Sequence, residues 1–336
     1  MKIGSLDSSK QVLVVAEIGN NHEGDIDVAI ELVDRAADAG VNAVKFQTYT
    51  PEHLSGSDPE RLQKLRDFEL RFEDLRRLAG HAEDKGLVWF STAFDLENAR
   101  KLYDMQPVFK IASGDNNFFS LIESVASFGK PMIVSTGLAD TSLLQQVLAR
   151  VKKVCCANGF KMQLAFLHCV SSYPTPINQA GLSAIPQLRS QFPDCEVGYS
   201  DHTVGIEAAV FSAAAGARII EKHFTLDKTQ TGLRDHQLSA DPKEMKELVS
   251  QVRKVEVLLG EKASGIQECE IKNLILARRS IAANRRLDAG TVLSDDDLTC
   301  VRPGSGIPAN EVDKVIGKKL VNSIAPLQLI ELEDLK

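Results

Sequence analysis

None of the six cysteines in these 336 residues stands in a CxxC pair. Cys155, Cys156, Cys169, Cys195, Cys269 and Cys300 form no even framework either, so the sequence reads as that of a reduced, cytoplasmic protein. No run of lysine and arginine offsets the formal net charge of -7, which removes the attraction that nucleic acid or an anionic membrane would need. The opening MKIGSLDSSKQ lacks an apolar signal core. No stretch approaches the roughly 20 apolar residues that cross a bilayer. Neither a P-loop nor a strand-linked GxGxxG is present, so a nucleotide cofactor is not expected. What remains is small-molecule chemistry.

Hydrophobic residues at 43% and charged residues at 25% suit a globular protein with a substantial core. Eight short apolar runs recur, starting at Val12, Ala43, Leu87, Val108, Pro131, Leu164, Glu196 and Ala217. Each predicts a buried strand. Between them lie amphipathic segments such as DIDVAIELVDRAADAG, where Val28, Ala29, Leu32, Val33 and Ala36 share a helical face and Gly40 supplies a stop. Eight strands alternating with helices predict a (β/α)8 barrel over residues 1–260, with an open doubly wound sheet as the alternative. Residues 261–277 read as a linker with a helical turn or two. Residues 278–336, with short strands and Gly- and Asp-rich turns, predict a small β-rich domain near the size limit for standing alone.

In such a barrel the catalytic groups sit at the C-terminal strand ends. Every strand supplies polar candidates there: Glu17; Lys45 and Gln47; Ser91 and Thr92; Lys110 and Ser113; Ser135; His168; Ser200 and His202; Glu221 and His223. Residues two apart on a strand point the same way, so Lys45 with Gln47, Ser200 with His202 and Glu221 with His223 can face one mouth together. Lys45 and Lys110, with Ser113, Ser135 and Ser200, suit a phosphate or carboxylate. His202 and His223 suit a divalent ion that keeps positions open for substrate and water; the bland alternative is a hydrogen-bonded core pair. His22 and His236 read as loop or supporting groups rather than ligands.

AEIGNNHEGD, VKFQT, FKIASGD, STG, SSYPTP, GYSDHT, EKHFTLDK and RPGSGI occur in order along the chain. Together they resemble the sialic acid (N-acetylneuraminate) synthase family, which includes legionaminic and pseudaminic acid synthases. The resemblance implies a TIM barrel followed by an antifreeze-like (SAF) domain, in a domain-swapped homodimer. It also implies condensation of phosphoenolpyruvate with N-acetylmannosamine or a related N-acetylated amino sugar, giving a nine-carbon 2-keto acid and phosphate.

The same resemblance assigns roles. His202 and His223 would bind the metal, whether manganese, magnesium or cobalt. Glu17, Asp115 and Glu221 would serve catalysis. Lys45, Lys110, Ser113, Ser135, Ser171 and Ser200 would hold phosphoenolpyruvate. Tyr173 and Asp235 would lie near the sugar, and Arg302 would reach its N-acetyl group across the dimer. Bacterial sialic acid synthases commonly have Asn in place of Ser171 and Glu in place of Asp115, so these positions look more like the animal and legionaminic branches. The sugar therefore stays open between N-acetylmannosamine and a 6-deoxy-2,4-diacetamido relative. A metal-dependent pyruvate aldolase and a non-catalytic carbohydrate-binding scaffold are the other readings.

Overall fold

Each of the eight apolar runs forms a strand, and the strands close into a parallel barrel. The structure is a computed structural model that describes residues 1–56, 58–230, 233–260 and 265–336. It divides into two units, Met1–Leu259 and Gly260–Lys336.

A short hairpin of β1 (Lys2–Ile3) and β2 (Leu6–Asp7) opens the first unit. The barrel follows as β3 (Leu13–Gly19), β4 (Ala43–Thr48), β5 (Val88–Ala93), β6 (Phe109–Ile111), β7 (Met132–Ser135), β8 (Leu164–Cys169), β9 (Glu196–Asp201) and β10 (Ile219–His223). Neighbours in sequence are neighbours in the barrel, and β10 closes on β3.

Strand alternation separates two buried layers. Val14, Ala16, Ile18, Val44, Phe46 and Ile220 pack outward with the surrounding helices. Leu13, Val15, Ala43, Val88, Phe90, Val108, Ile133, Ala165, Leu167 and Ile219 form a separate cluster that fills the interior. Ile3 of the hairpin joins this cluster and seals its N-terminal end. Followed two residues at a time toward the C-terminal ends, the inner face turns polar: Val15 leads to Glu17, Ala43 to Lys45, Val108 to Lys110, Ile133 to Ser135 and Ile219 to Glu221. The apolar layer is the floor on which the charged layer stands.

The helices follow from caps and stripes. In Ile26–Ala39, Asp25 accepts from the backbone N–H groups of Asp27 and Val28, and Gly40 ends the helix at φ 82°. Ala29, Leu32, Val33 and Ala36 are buried, as the sequence periodicity predicts, while Val28 is only half-buried and Ala39 joins the buried face. The final barrel helix, Pro242–Leu259, buries Met245, Leu248 and Val252. No helix among the described residues is long and apolar enough to cross a membrane.

The second unit has its own core of Ile281, Ala283, Leu287, Leu293, Ile307, Val315, Leu320, Ile324 and Ile330. Residues 261–264, which open the expected linker, lie outside the described residues. The short helices Glu268–Ile271 and Leu274–Ala277 supply its helical turns. Among the described residues of this unit, regular strand is limited to antiparallel β11 (Ser280–Ala283) and β12 (Leu298–Val301). The remaining pairing is single bridges such as Leu287 with Ile324 and Val292 with Lys319. Frequent turns break each apolar stretch before it can pair for long.

Candidate active site

Lys45 is the hub of the charged layer. Its ammonium lies 3.2 Å from Glu17 and 3.2 Å from Glu221, and it donates to the Thr92 hydroxyl at 3.3 Å. Strand register makes this possible, because β3 sets Glu17 beside Lys45 on one side and His223 on the other. Glu221 also accepts from Ser200 at 2.8 Å and lies 3.8 Å from Lys110. Gln47 donates to Glu17 at 3.1 Å. All four charged side chains are buried. Buried charges persist only when paired in this way.

Burial pushes the Glu17 carboxyl up to about 7, against the opposing pull of Lys45. Burial acts on Glu221 too, but Lys110 and Lys45 overcome it and hold the carboxyl at about 2. Glu17 is therefore the member of the network that takes up a proton near neutrality. Asp115, in the 3-10 turn Ser113–Asp115, is raised to about 6 by burial, with Lys110 opposing.

Beside this network is a hydroxyl-lined cradle. Lys110 donates to Ser135 at 2.8 Å, and the Ser113 hydroxyl points to the Cys169 sulfur at 3.4 Å. Asn116 anchors the adjoining backbone through the carbonyls of Ser135, at 3.2 Å, and Gly137, at 2.8 Å. A Cβ at Gly137 would lie 2.3 Å from the Ser171 hydroxyl and 2.7 Å from that of Ser113. Only glycine lets the two hydroxyls close on this backbone. The Ser171 oxygen is buried without a hydrogen-bond partner, and so is open to a ligand.

The histidines lie across the same mouth, with ring centroids 5.3 Å apart. His202 Nδ1 is 2.9 Å from the Val170 carbonyl, which can only accept, so Nδ1 carries a proton and Nε2 is the nitrogen left for a cation. Burial acts to lower this imidazole, but contact with Cys169 and the Val170 carbonyl outweighs it and raises it above the usual range. His223 Nδ1 is buried with no hydrogen-bond partner, and burial holds its imidazole well below the usual range. With both rings neutral, the two imidazoles lining one cavity fit a divalent cation. Among the described residues no group of three or more His, Cys, Asp and Glu could hold a metal, so substrate and water oxygens would complete the shell. Tyr173 packs on His202 at 4.1 Å between centroids, and Asp235 lies 4.0 Å from His223 Nδ1.

Every barrel residue given a role by the family resemblance lines one cavity of about 600 Å³: the three carboxylates Glu17, Asp115 and Glu221, the two lysines, the four serines, Tyr173, Asp235 and both histidines. The strand-end candidates Ser91 and His168 do not line it, because Ser91 meets the Thr48 hydroxyl at 2.7 Å and His168 Nε2 the Ala180 carbonyl at 2.8 Å. That volume suits a pair of small substrates. Arg302 belongs to the second unit, where it is exposed. Of the supporting histidines, His22 accepts from the Gly24 N–H at 3.0 Å. His236 bridges Glu23 at 2.9 Å and Thr225 at 2.7 Å. Sequence reasoning missed Cys169, Asn116, Arg61 and Arg234, which the structure sets in or behind the cavity wall. Cys169 alone had a signal, since it falls two residues after inward-facing Leu167.

Residues 32–264 match the NeuB family, and residues 278–336 match the SAF domain. The chain is 35% identical to the N,N'-diacetyllegionaminic acid synthase of Campylobacter jejuni, over 92% of this chain and 96% of that protein. It is 33% identical to human N-acetylneuraminate-9-phosphate synthase, over 93% of this chain and 89% of the human one. Among solved structures, the N-acetylneuraminic acid synthetase of Leptospira borgpetersenii in complex with citrate superposes with a TM-score of 0.76 at 35% identity, covering 81% of this chain and 94% of that one. The chain thus belongs to the NeuB family, with a SAF domain following its TIM barrel.

Proposed function

We propose that the protein is a nonulosonic acid synthase, condensing phosphoenolpyruvate with an N-acetylated amino sugar and water to a nine-carbon 2-keto acid and phosphate. The names of its relatives support a sialic-type synthase. The observation that carries the phosphoenolpyruvate requirement is the pairing of two buried ammoniums with a partly unsatisfied hydroxyl cradle, an arrangement for a small anion.

In this reading Lys45, Lys110, Ser113, Ser135, Ser171 and Ser200 hold the phosphate and carboxylate of phosphoenolpyruvate. Carbon 3 attacks the open-chain sugar aldehyde, and positive charge develops at carbon 2. Glu221, ionised throughout, opposes that charge from a buried position where it counts for more than in water, and Glu17 adds to it when ionised. Water adds at carbon 2 before phosphate departs with the bridging oxygen. Asp115, which lines the cavity and is raised toward neutrality, would take the water proton. A divalent cation (manganese, magnesium or cobalt) at His202 and His223 would polarise the aldehyde and orient a water. Tyr173 and Asp235 bound the sugar side of the cavity.

The SAF domain would close the site of the second protomer in a domain-swapped homodimer, where Arg302 of the partner subunit meets the N-acetyl group. The protein would act in the cytoplasm. N-acetylmannosamine is the first sugar to try; Ser171 and Asp115 make a 6-deoxy-2,4-diacetamido sugar the second. The test is phosphate release from phosphoenolpyruvate with manganese, run with each sugar and with none. Sugar-dependent release, abolished by chelator, is expected. Release with no sugar, or none with any sugar from a folded dimer, would contradict the reading.

A further inference from the structure

We propose that the buried ion pair of Lys222 and Asp201 is a positioning device that sets His202 and His223 for their cation, from the reverse side of β9 and β10. The inference rests on the metal reading above.

Lys222 stands between Glu221 and His223, yet it does not line the cavity. Its neighbours on the same outward face, Ile220 and Phe224, are apolar and fully buried. Lys222 breaks that pattern with 0% side-chain exposure and meets Asp201, also at 0%, at 2.9 Å. The two residues are opposite each other in the β9–β10 register, one step on from Ser200 and Glu221.

The contacts of the pair converge on the chain as it leaves β9. Asp201 Oδ1 accepts from the Tyr199 hydroxyl at 3.1 Å, the Thr203 N–H at 2.9 Å and the Thr203 hydroxyl at 2.8 Å. Lys222 donates to the Thr203 carbonyl at 2.6 Å. Thr203 is gripped at both its N–H and its carbonyl, by one strand each. His202 lies between Asp201 and Thr203, and its own carbonyl accepts from the Thr175 N–H at 2.8 Å. With Nδ1 on the Val170 carbonyl, the ring has little freedom left.

Stability does not explain such a pair. Desolvating each ion costs several kcal/mol, and well-packed apolar replacements of buried pairs are often neutral or stabilising. A position where Ile or Leu would serve packing as well carries instead a charged group that holds β10 to the loop bearing His202. Supporting contacts of this kind commonly change metal affinity by about 10–100-fold when removed.

The experiment compares wild type with the full-length Lys222→Met/Asp201→Leu double variant. Folding is followed by circular dichroism and thermal melting, Mn2+ binding by electron paramagnetic resonance of the free ion, and turnover by phosphate release. We expect a variant that melts lower, because Asp201→Leu leaves the Tyr199 hydroxyl and both Thr203 donors without their acceptor, but is folded at the assay temperature, with Mn2+ affinity of the folded protein lowered about 10–100-fold and kcat/KM lowered with it. A merely structural pair would lower the melting temperature and leave the Mn2+ affinity of the folded fraction alone. If the double variant does not fold, Thr203→Val and Tyr199→Phe, which keep the ion pair, carry the test: a several-fold loss of Mn2+ affinity at unchanged melting temperature is expected. Wild-type Mn2+ affinity in the folded variants overturns the inference. A wild-type chain that binds no Mn2+ overturns the metal reading and this inference with it.

Discussion

Glu17 and Lys45 face each other at adjacent strand ends, 3.2 Å apart and both buried. Lys45 also holds Glu221 at 3.2 Å, and Lys110 stands 3.8 Å from the same carboxylate. With Glu17 ionised the two lysines and two carboxylates cancel; with Glu17 protonated one positive charge is left over. The site suits an anion best with a proton on Glu17.

Phosphoenolpyruvate affinity is therefore expected to fall as pH rises through about 7, where Glu17 loses its proton. The sign follows from the raised pKa: the neutral form dominates below it and the anion-repelling form above it. The decline is limited to about tenfold per pH unit, the bound for one linked proton. Dissociation constants from pH 6 to 8.5 check it, with Glu17→Gln sharing the substrate's own ionisation. A wild-type profile parallel to that of Glu17→Gln would count against Glu17 as the proton site.

Gly137→Ala is expected to raise the KM for phosphoenolpyruvate at least about tenfold with little loss of fold, because the added methyl occupies the space of the Ser113 and Ser171 hydroxyls. Steady-state kinetics with a thermal melt test this. An unchanged KM would remove the cradle from the anion site.

How much of this was legible before the structure depends on how local the signal was. The inward set of Glu17, Lys45, Lys110, Ser135 and Glu221 was readable because strand alternation is strict and each residue closes an apolar run. The neutralisation of Lys45 by two carboxylates was not, since it depends on three strands meeting in register. Lys222 was visible only as a charge crowded against Glu221 and His223; its partner Asp201 lies on another strand, and no spacing rule joins them. In the second unit, turns recognisable as turns hid how little regular strand lay between them. There, single bridges and a small core hold a fold that strand patterns describe poorly.

His202→Ala should lower kcat/KM by at least about 100-fold, and chelation of wild type should match it. Added Mn2+ should restore the chelated wild type and leave the variant inactive. Full activity after exhaustive chelation would return the two histidines to the reading of a core pair.

Arg302→Ala should raise the KM for the sugar and leave that for phosphoenolpyruvate within about twofold, since its proposed role is confined to the N-acetyl group. Light scattering should report a dimer for wild type and variant alike. Equal sugar kinetics in the two proteins would deny the SAF domain its part in specificity.

In the proposed reaction water attacks carbon 2 of phosphoenolpyruvate and phosphate leaves with the bridging oxygen. Running the reaction in H2(18)O and weighing the released phosphate tests this directly. Phosphate free of the heavy isotope, formed only when sugar is present, is expected. Phosphate carrying one heavy oxygen would mean that water attacked phosphorus, and the condensing mechanism would be wrong.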